Sequence, residues 1–281
     1  MVEQTILIAS FFIALVSFTG FTRFIRIYPV NCCLIMTFTS TRFGQFTYFS
    51  TQLGDANWRG KNVLDFGGNV GNILRDPNST IDPERYWCLD VDKESIEQGR
   101  EAFPRSHWIF YDRFSFFLNP HGTPSLPLPE MDETFTYVVA YSVFTNTSQT
   151  DMLELVEDLK SKLTPGGALA FTFIDPYYTT WGAEHGRNNL QWRLDLETER
   201  RHITADEAND VDQRAQGAKW FILVNGGDLY IETENIRRYA CEDQRTFHVF
   251  HTTEYMKSLF PDATILPPVN NEMQHCCIIR N

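Results

Sequence analysis

Ten consecutive residues carry much of the chemistry this chain can offer: Val63-Leu64-Asp65-Phe66-Gly67-Gly68-Asn69-Val70-Gly71-Asn72. An apolar strand that ends in an acid and runs into glycines makes a tight turn whose backbone can approach a ligand closely, opening onto a helix N-terminus. A dinucleotide turn of the G-x-G-x-x-G type would need glycines at 69 and 72, where this chain has Asn69 and Asn72, so NAD chemistry is disfavoured. Two further acids close comparable stretches. Tyr86-Trp87-Cys88-Leu89-Asp90 ends in a carboxylate twenty-five residues beyond Asp65, and Asp112 follows the next apolar run, His107–Tyr111. Any one of these acids alone reads as an ordinary cap or loop charge. Three at the ends of successive strands mark a ligand edge, because open α/β sheets bind ligands outside the carboxyl ends of their strands.

The elements that must position these acids follow from hydrophobic rhythm. Apolar runs at Asn62–Phe66, Tyr86–Asp90, Trp108–Tyr111, Thr136–Tyr141 and Ala168–Ile174 read as buried strands separated by helical patterns or loops. Such alternation predicts a doubly wound α/β fold, a mostly parallel sheet covered on both faces. Asp151–Leu163 is the clearest helix, with Met152, Leu155, Val156 and Leu159 as its apolar stripe and Pro165-Gly166-Gly167 as its stop. From Arg187 to Arg214, twelve of twenty-eight residues are charged, which predicts a solvated helical insertion. Strands are expected at Trp220–Val224, Leu229–Glu232, Phe247–Phe250 and His275–Arg280, with a helix at Thr253–Phe260.

On these residues the sequence resembles a class I S-adenosylmethionine-dependent methyltransferase. The family's first motif, an acid followed by G-x-G-x-G, is matched by Asp65, Gly67 and Gly71, with Gly68 inside the turn and Asn69 in place of the middle glycine. Asparagine also accepts left-handed backbone angles. The resemblance implies a seven-stranded, Rossmann-like sheet with an insertion after strand five, and S-adenosylmethionine as the cofactor. It implies that the glycine turn lies against the methionine part and that Asp65 helps orient its amino group. Asp90, with Val91 beside it, would hold the ribose, since a carboxylate can accept both hydroxyl protons. Asp112 would accept from the adenine amino group, and Arg113 or Phe114 would cover the ring. Tyr141 and Ser142, at the head of Ser142-Val143-Phe144-Thr145-Asn146, would face the cofactor beside its sulfonium centre. Asn146 stands where many relatives carry histidine. The resemblance covers residues 43–175 well and 248–280 more loosely.

The sulfonium methyl is already activated, so the protein's task is to hold a nucleophile in line and exclude water, and no metal is called for. A base matters when the acceptor is a phenol or alcohol. Asp175, His185, His248 and His251 are candidates near strand ends. His185 is the one expected to act catalytically, because Trp181-Gly182-Ala183-Glu184-His185-Gly186-Arg187 forms a glycine-flanked loop after strand five with an acid adjacent. An exposed histidine without catalytic duty is the plainer alternative. Trp181, Trp192 and Tyr177-Tyr178 would wall an organic acceptor or pack the insertion onto the domain.

Composition bounds the partners. Acidic side chains outnumber basic ones by 36 to 24, and a net charge of −12 repels a phosphate backbone over most of the surface, so no nucleic-acid partner is expected. Six cysteines with no C-x-x-C signal neither a zinc site nor a disulfide framework, which points to a reducing compartment. Residues 5–22 carry no charge and are just long enough to span a bilayer as a helix, with Arg23 and Arg26 following. They read as a membrane anchor that leaves the catalytic domain facing the cytosol, as an extension ahead of a true start at Met36, or as a buried helix. The expected organisation is an apolar segment over 1–40, a cofactor-binding core over 41–176, an insertion or lid over the acceptor site at 177–245, and closing helix and strands at 246–281. The expected activity is methyl transfer to an oxygen or nitrogen of a small or medium-sized organic acceptor by in-line displacement. The alternative is a cofactor-binding scaffold or regulatory protein without transfer. Localisation is expected to be cytoplasmic or membrane-anchored, and the oligomeric state is not legible.

Overall fold

The computed structural model describes residues 44–115, 118–147, 149–175, 177–178, 220–224, 229–231, 247–269 and 273–281. After a helix α1 (Gln45–Leu53) come β1 (Val63–Phe66), a 3-10 turn (Pro83–Arg85), β2 (Tyr86–Asp90), α2 (Lys93–Ala102), β3 (His107–Phe110) and β4 (Phe135–Ala140). A second 3-10 turn (Phe144–Asn146), α3 (Gln149–Ser161) and β5 (Leu163–Ile174) follow. Beyond them lie β6 (Trp220–Val224), β7 (Leu229–Ile231), β8 (Phe247–His251), α4 (Thr253–Leu259), β9 (Thr264–Leu266) and β10 (Gln274–Arg280).

Seven strands form one sheet in the order β3-β2-β1-β4-β5-β10-β9. β1 pairs in parallel with β2 and β4, β2 with β3, and β4 with β5, while β10 runs antiparallel to both β5 and β9. The sheet is the mostly parallel, doubly wound one that the strand–helix rhythm predicts. Every residue of β1 and β2 is buried, as expected for strands covered on both faces. One covering layer holds Leu64, Phe66, Phe135, Phe144, Met152, Leu155, Phe171 and Met256. The other holds Val63, Tyr86, Trp108, Ala170 and Ile278 with Phe46, Tyr48 and Phe49 of α1, so the aromatic run before β1 is core. The apolar stripe of α3 is buried as its periodicity predicts.

Two local outcomes differ from expectation. The chain after the glycine turn forms turns through residues 69–78 and no α-helix before β2. Only nineteen residues separate Phe66 from Tyr86, and Asp76-Pro77-Asn78-Ser79-Thr80 supplies turn chemistry in place of helix propensity. The Asp76 carboxylate pulls this stretch onto α1 by accepting from Thr47 N at 2.6 Å and from Asn78 N at 2.9 Å. β7 and β6 of the insertion form a separate antiparallel sheet with β8, the first strand of the closing segment, so β8 pairs with β6 and not with the main sheet. The expected helical part at 187–214 lies outside the described residues.

The membrane expectation is corrected. No helix among the described residues is long and apolar enough to cross a membrane, which removes the support for a transmembrane helix, a membrane partner and a membrane-anchored location. Residues 5–22 themselves lie outside the described residues.

Close packing of α2 on β3 rests on Gly99. A Cβ there would lie 2.2 Å from Trp108 Cζ3, and the indole cannot swing aside freely because its Nε1 donates to Phe103 O at 3.1 Å. Alanine in mid-helix gains at most about 1 kcal/mol over glycine. Forcing a methyl into a packed core costs about 1–3 kcal/mol. Gly99→Ala should therefore lower the melting temperature in a thermal unfolding scan, and an increase would contradict this packing.

Candidate active site

The glycine bend is built from left-handed backbone and close approach. Gly67 (φ 74°), Asn69 (φ 54°) and Gly71 (φ 80°) all lie in the region that glycine and asparagine tolerate best. Gly67 N–H donates to Leu89 O at 2.7 Å, tying the turn to β2. A Cβ at Gly67 would lie 2.4 Å from Val143 Cγ2, so the bend abuts the segment after β4. A Cβ at Gly68 would fall 2.5 Å from Asp65 Oδ2 and 2.9 Å from Cys88 Sγ, so the bare backbone covers both groups directly.

Beneath the bend sit two buried carboxylates. Asp65 is 1% exposed and accepts from Tyr86 Oη at 2.7 Å. Asp90 is 4% exposed and accepts from Asn69 N at 2.7 Å and Asp92 N at 2.8 Å. The Asn69 side chain donates to Ser95 Oγ at 3.0 Å, and Ser95 Oγ donates to Asp92 Oδ2, fixing the turn to the start of α2. Burial pushes Asp65 up to about 7, opposed by the Tyr86 hydroxyl and reinforced by the Asp90 charge. Burial also pushes Asp90 up to about 6, against the N–H bonds that favour its ionised form. Val91 follows half-buried at the end of β2.

Asp112 stands at the same edge, since Tyr111 N donates to Asp90 O at 2.9 Å. It is exposed, and its carboxylate accepts from Asn119 Nδ2 at 2.9 Å. Arg113 turns the other way: its guanidinium is buried against Leu126 O at 2.7 Å, Asp151 at 2.6 Å and Glu154 at 3.1 Å. Burial works against its charge, but Glu154, the Tyr111 hydroxyl and Asp151 hold it above its ordinary range. The guanidinium is thus committed to fastening the loop after β3 to α3. Phe114, half-buried, remains beside Asp112, its N–H bonded to Thr123 O.

At the end of β4, Tyr141 stacks edge-on with Tyr48 at 5.4 Å. Ser142 is left-handed at φ 60° and is gripped from three elements. Its N–H donates to Thr172 Oγ1 of β5 at 2.7 Å, Gln274 Nε2 of β10 donates to its Oγ at 3.2 Å, and Thr145 Oγ1 donates to its carbonyl at 3.0 Å. The sheet therefore brings Asp65, Gly67, Gly68, Asn69, Gly71, Asp90, Asp112, Tyr141 and Ser142 to one edge.

Among the base candidates, Asp175 accepts from Thr253 N at 2.8 Å, Thr253 Oγ1 at 2.7 Å and Tyr177 N at 2.9 Å, which commits it to the start of α4. His251 is fully buried, and burial pushes it down to about 3, so it is neutral at ordinary pH. His185, Trp181 and Trp192 lie outside the described residues, as does the side chain of His248. No group of His, Cys, Asp and Glu arranged to hold a metal occurs among the described residues. Gln274 and Thr172 carry no motif signal. Only the β5–β10 register, Gln274 opposite Ile174, reveals them beside Ser142.

Comparison with known proteins agrees with this geometry. Residues 64–169 match the family model described as a methyltransferase domain. Together with the sheet order, that match identifies the protein as carrying a class I S-adenosylmethionine-dependent methyltransferase domain. No curated protein matches the chain. Solved structures with likeness include an S-adenosylmethionine-dependent methyltransferase from Clostridium acetobutylicum ATCC 824, with 10% identity over 78% of this chain and 83% of that one and a TM-score of 0.43. A protein from Pyrococcus horikoshii OT3 has 13% identity over 83% and 87% with a TM-score of 0.46. The N-methyltransferase NodS from Bradyrhizobium japonicum WM9, solved with S-adenosyl-L-homocysteine, has 14% identity over 85% and 88% with a TM-score of 0.40. Likenesses this distant say nothing about the acceptor.

The two buried acids make stability fall with rising pH. With Asp65 near 7 in the folded chain and 3.8 as its ordinary value, the folded protein keeps a proton that the unfolded chain has lost between those limits. Each step upward in pH across that window then favours unfolding, and Asp90 adds to the slope up to about 6. Asn at position 65 can still accept from Tyr86 but carries no charge. Asp65→Asn should therefore gain more in melting temperature over wild type at pH 8 than at pH 4. An equal difference at both pH values would contradict the buried-acid assignment.

Proposed function

We propose that this protein transfers a methyl group from S-adenosylmethionine, consumed as a co-substrate, to a nitrogen or oxygen of a small or medium-sized organic acceptor. The observation that carries the proposal is the convergence of a glycine bend and two buried carboxylates on one strand edge, beside the pinned Ser142 segment. A nucleoside with a cationic amino-acid arm suits this donor set. The bend offers backbone free of Cβ atoms at Gly67 and Gly68, and the acids offer hydrogen-bond acceptors to a diol and an ammonium group. Asp90 already accepts two backbone N–H bonds, which leaves about two of its four lone-pair positions for ribose hydroxyls. Asp65 would meet the amino group, directly or through water, and Asp112 the adenine edge.

The co-substrate supplies an activated methyl. The protein's own contribution is to orient the two reactants and exclude water, a contribution that reaches about 7–11 kcal/mol in well-aligned systems. In this scheme the insertion after β5 covers the acceptor, and β8, which pairs with its β6, lies against the Phe144–Asn146 turn. A catalytic role for His185 belongs to the same proposal and is tested by the rate of His185→Ala.

A second function, cofactor binding without transfer, is favoured by one observation: Asn146, where many relatives carry histidine, is an amide that donates to Ser142 O and Thr145 Oγ1 and cannot take a proton. Ligand stabilisation separates the possibilities from unrelated α/β binders. At 100 times its dissociation constant, S-adenosylhomocysteine should add about 2.7 kcal/mol to stability, while NAD adds nothing. Asp90→Ala should abolish most of that gain. Stabilisation by NAD alone, or an undiminished gain in the variant, would overturn the proposed site.

A further inference from the structure

Asp65 is a buried carboxyl group without a counter-charge. It is 1% exposed, and the Tyr86 hydroxyl donates to it at 2.7 Å. No lysine, arginine or histidine among the described residues pairs with it. In the sheet its neighbours are Cys88 of β2 and Val139 of β4. The titratable groups that face it all come from β2: the Tyr86 hydroxyl, the Cys88 thiol and the Asp90 carboxylate, none of them a cation. Asp92, at the start of α2, adds its negative charge to Asp90. Helix α1, on the same side of the sheet, holds no charged residue. The layer over Asp65 is backbone: a Cβ at Gly68 would fall 2.5 Å from its Oδ2, and Gly67 and Asn69 on either side reach solvent. Burial, opposed by the Tyr86 bond and reinforced by the Asp90 charge, lets Asp65 keep a proton up to about 7.

We infer that binding of the nucleoside co-substrate is coupled to proton release: the ammonium group of its amino-acid arm, settling on the glycine bend, displaces the proton of Asp65 to solvent, so that acidification weakens binding. The inference rests on the proposed methyl transfer and adds a regulation of the same site. The exchange conserves charge at the bend. A cation arrives, a proton leaves, and the ammonium keeps all of its own protons. Direct contact is not required, because an opposite charge within about 4–6 Å favours the ionised carboxyl and the covering backbone carries no side chain at Gly68. Ribose hydroxyls donating to Asp90 act in the same direction. Their share is smaller, since Asp90 keeps its proton only up to about 6 and already accepts from Asn69 N and Asp92 N. Below about 7 the free protein holds a proton that the complex lacks, so affinity falls as pH falls. Above that limit Asp65 is ionised in both states, and affinity no longer changes through it.

The test is isothermal titration of the full chain with S-adenosylhomocysteine, which has the ammonium-bearing arm and needs no acceptor. Repeating it in buffers of different ionisation enthalpy counts the protons released. About half a proton or more should leave per site at pH 6.5, and almost none at pH 8. For one proton displaced from a group near 7, the dissociation constant should fall about fivefold from pH 6 to pH 7 and less than about twofold from pH 7 to pH 8. Two arms identify the source of the proton. Asp65→Asn, which has no proton to give, and 5′-methylthioadenosine on the wild-type protein, which lacks the arm, should each show less than half of the wild-type release with S-adenosylhomocysteine. Tyr86→Phe removes the bond that favours the ionised carboxyl and should carry release to higher pH. No release from the wild-type protein at pH 6.5, or a release that survives undiminished in both arms, overturns this inference and leaves the methyltransferase proposal standing. Failure of S-adenosylhomocysteine to bind at either pH overturns both.

Discussion

The hydrogen bond from the Asn69 amide to the Asp90 carboxylate is the constraint on which the ligand edge depends. It joins the turn after β1 to the end of β2 and sets the left-handed angle at Asn69, where a glycine would cost backbone entropy and forgo a side chain. That side chain extends the tie through Ser95 to Asp92, so the bend is fixed to the start of α2 at two points. With no α-helix between β1 and β2, this lattice replaces the stiffness that a helical first turn would give. Burial disfavours the charged form of both acids, and the Asp90 charge adds to that effect on Asp65. Local strain of this kind concentrates where a ligand is to be received.

A second tie closes the edge from the opposite side. β10, antiparallel to β5, delivers Gln274 to Ser142, and α1 reaches the same point through the Tyr48 hydroxyl, which donates to Gln274 O at 3.1 Å. Helix α1, strands β4 and β5, and the carboxyl-terminal strand thus meet around one left-handed serine. Tyr141 packs against Tyr48 and Phe49 just beneath it. The amino-terminal aromatic run and the last strand both serve the site, although neither carries a motif.

The strands and the acids that end them were legible because buried parallel strands read as continuous apolar runs and the acids sit at fixed offsets from them. The bend was legible because glycine and asparagine in that spacing have few other uses. What stayed hidden depends on distant pairings. Gln274 lies 132 positions from Ser142, and only the register of β10 on β5 brings them together. Arg113 sits next to Asp112 in sequence, yet its side chain reaches α3, because a guanidinium is drawn to the paired carboxylates of Asp151 and Glu154. The helix expected after the bend gave way to turns because Asp76 offers the backbone other partners and Pro77 lacks the N–H that a helix interior needs.

A crystal structure of the protein with S-adenosylhomocysteine tests the central claim most directly. The account predicts the nucleoside across the carboxyl ends of β1 and β2, with its ribose hydroxyls on Asp90 and its amino group near Asp65. A nucleoside found elsewhere, with both carboxylates still sealed beneath Gly68 and Asn69, would contradict it.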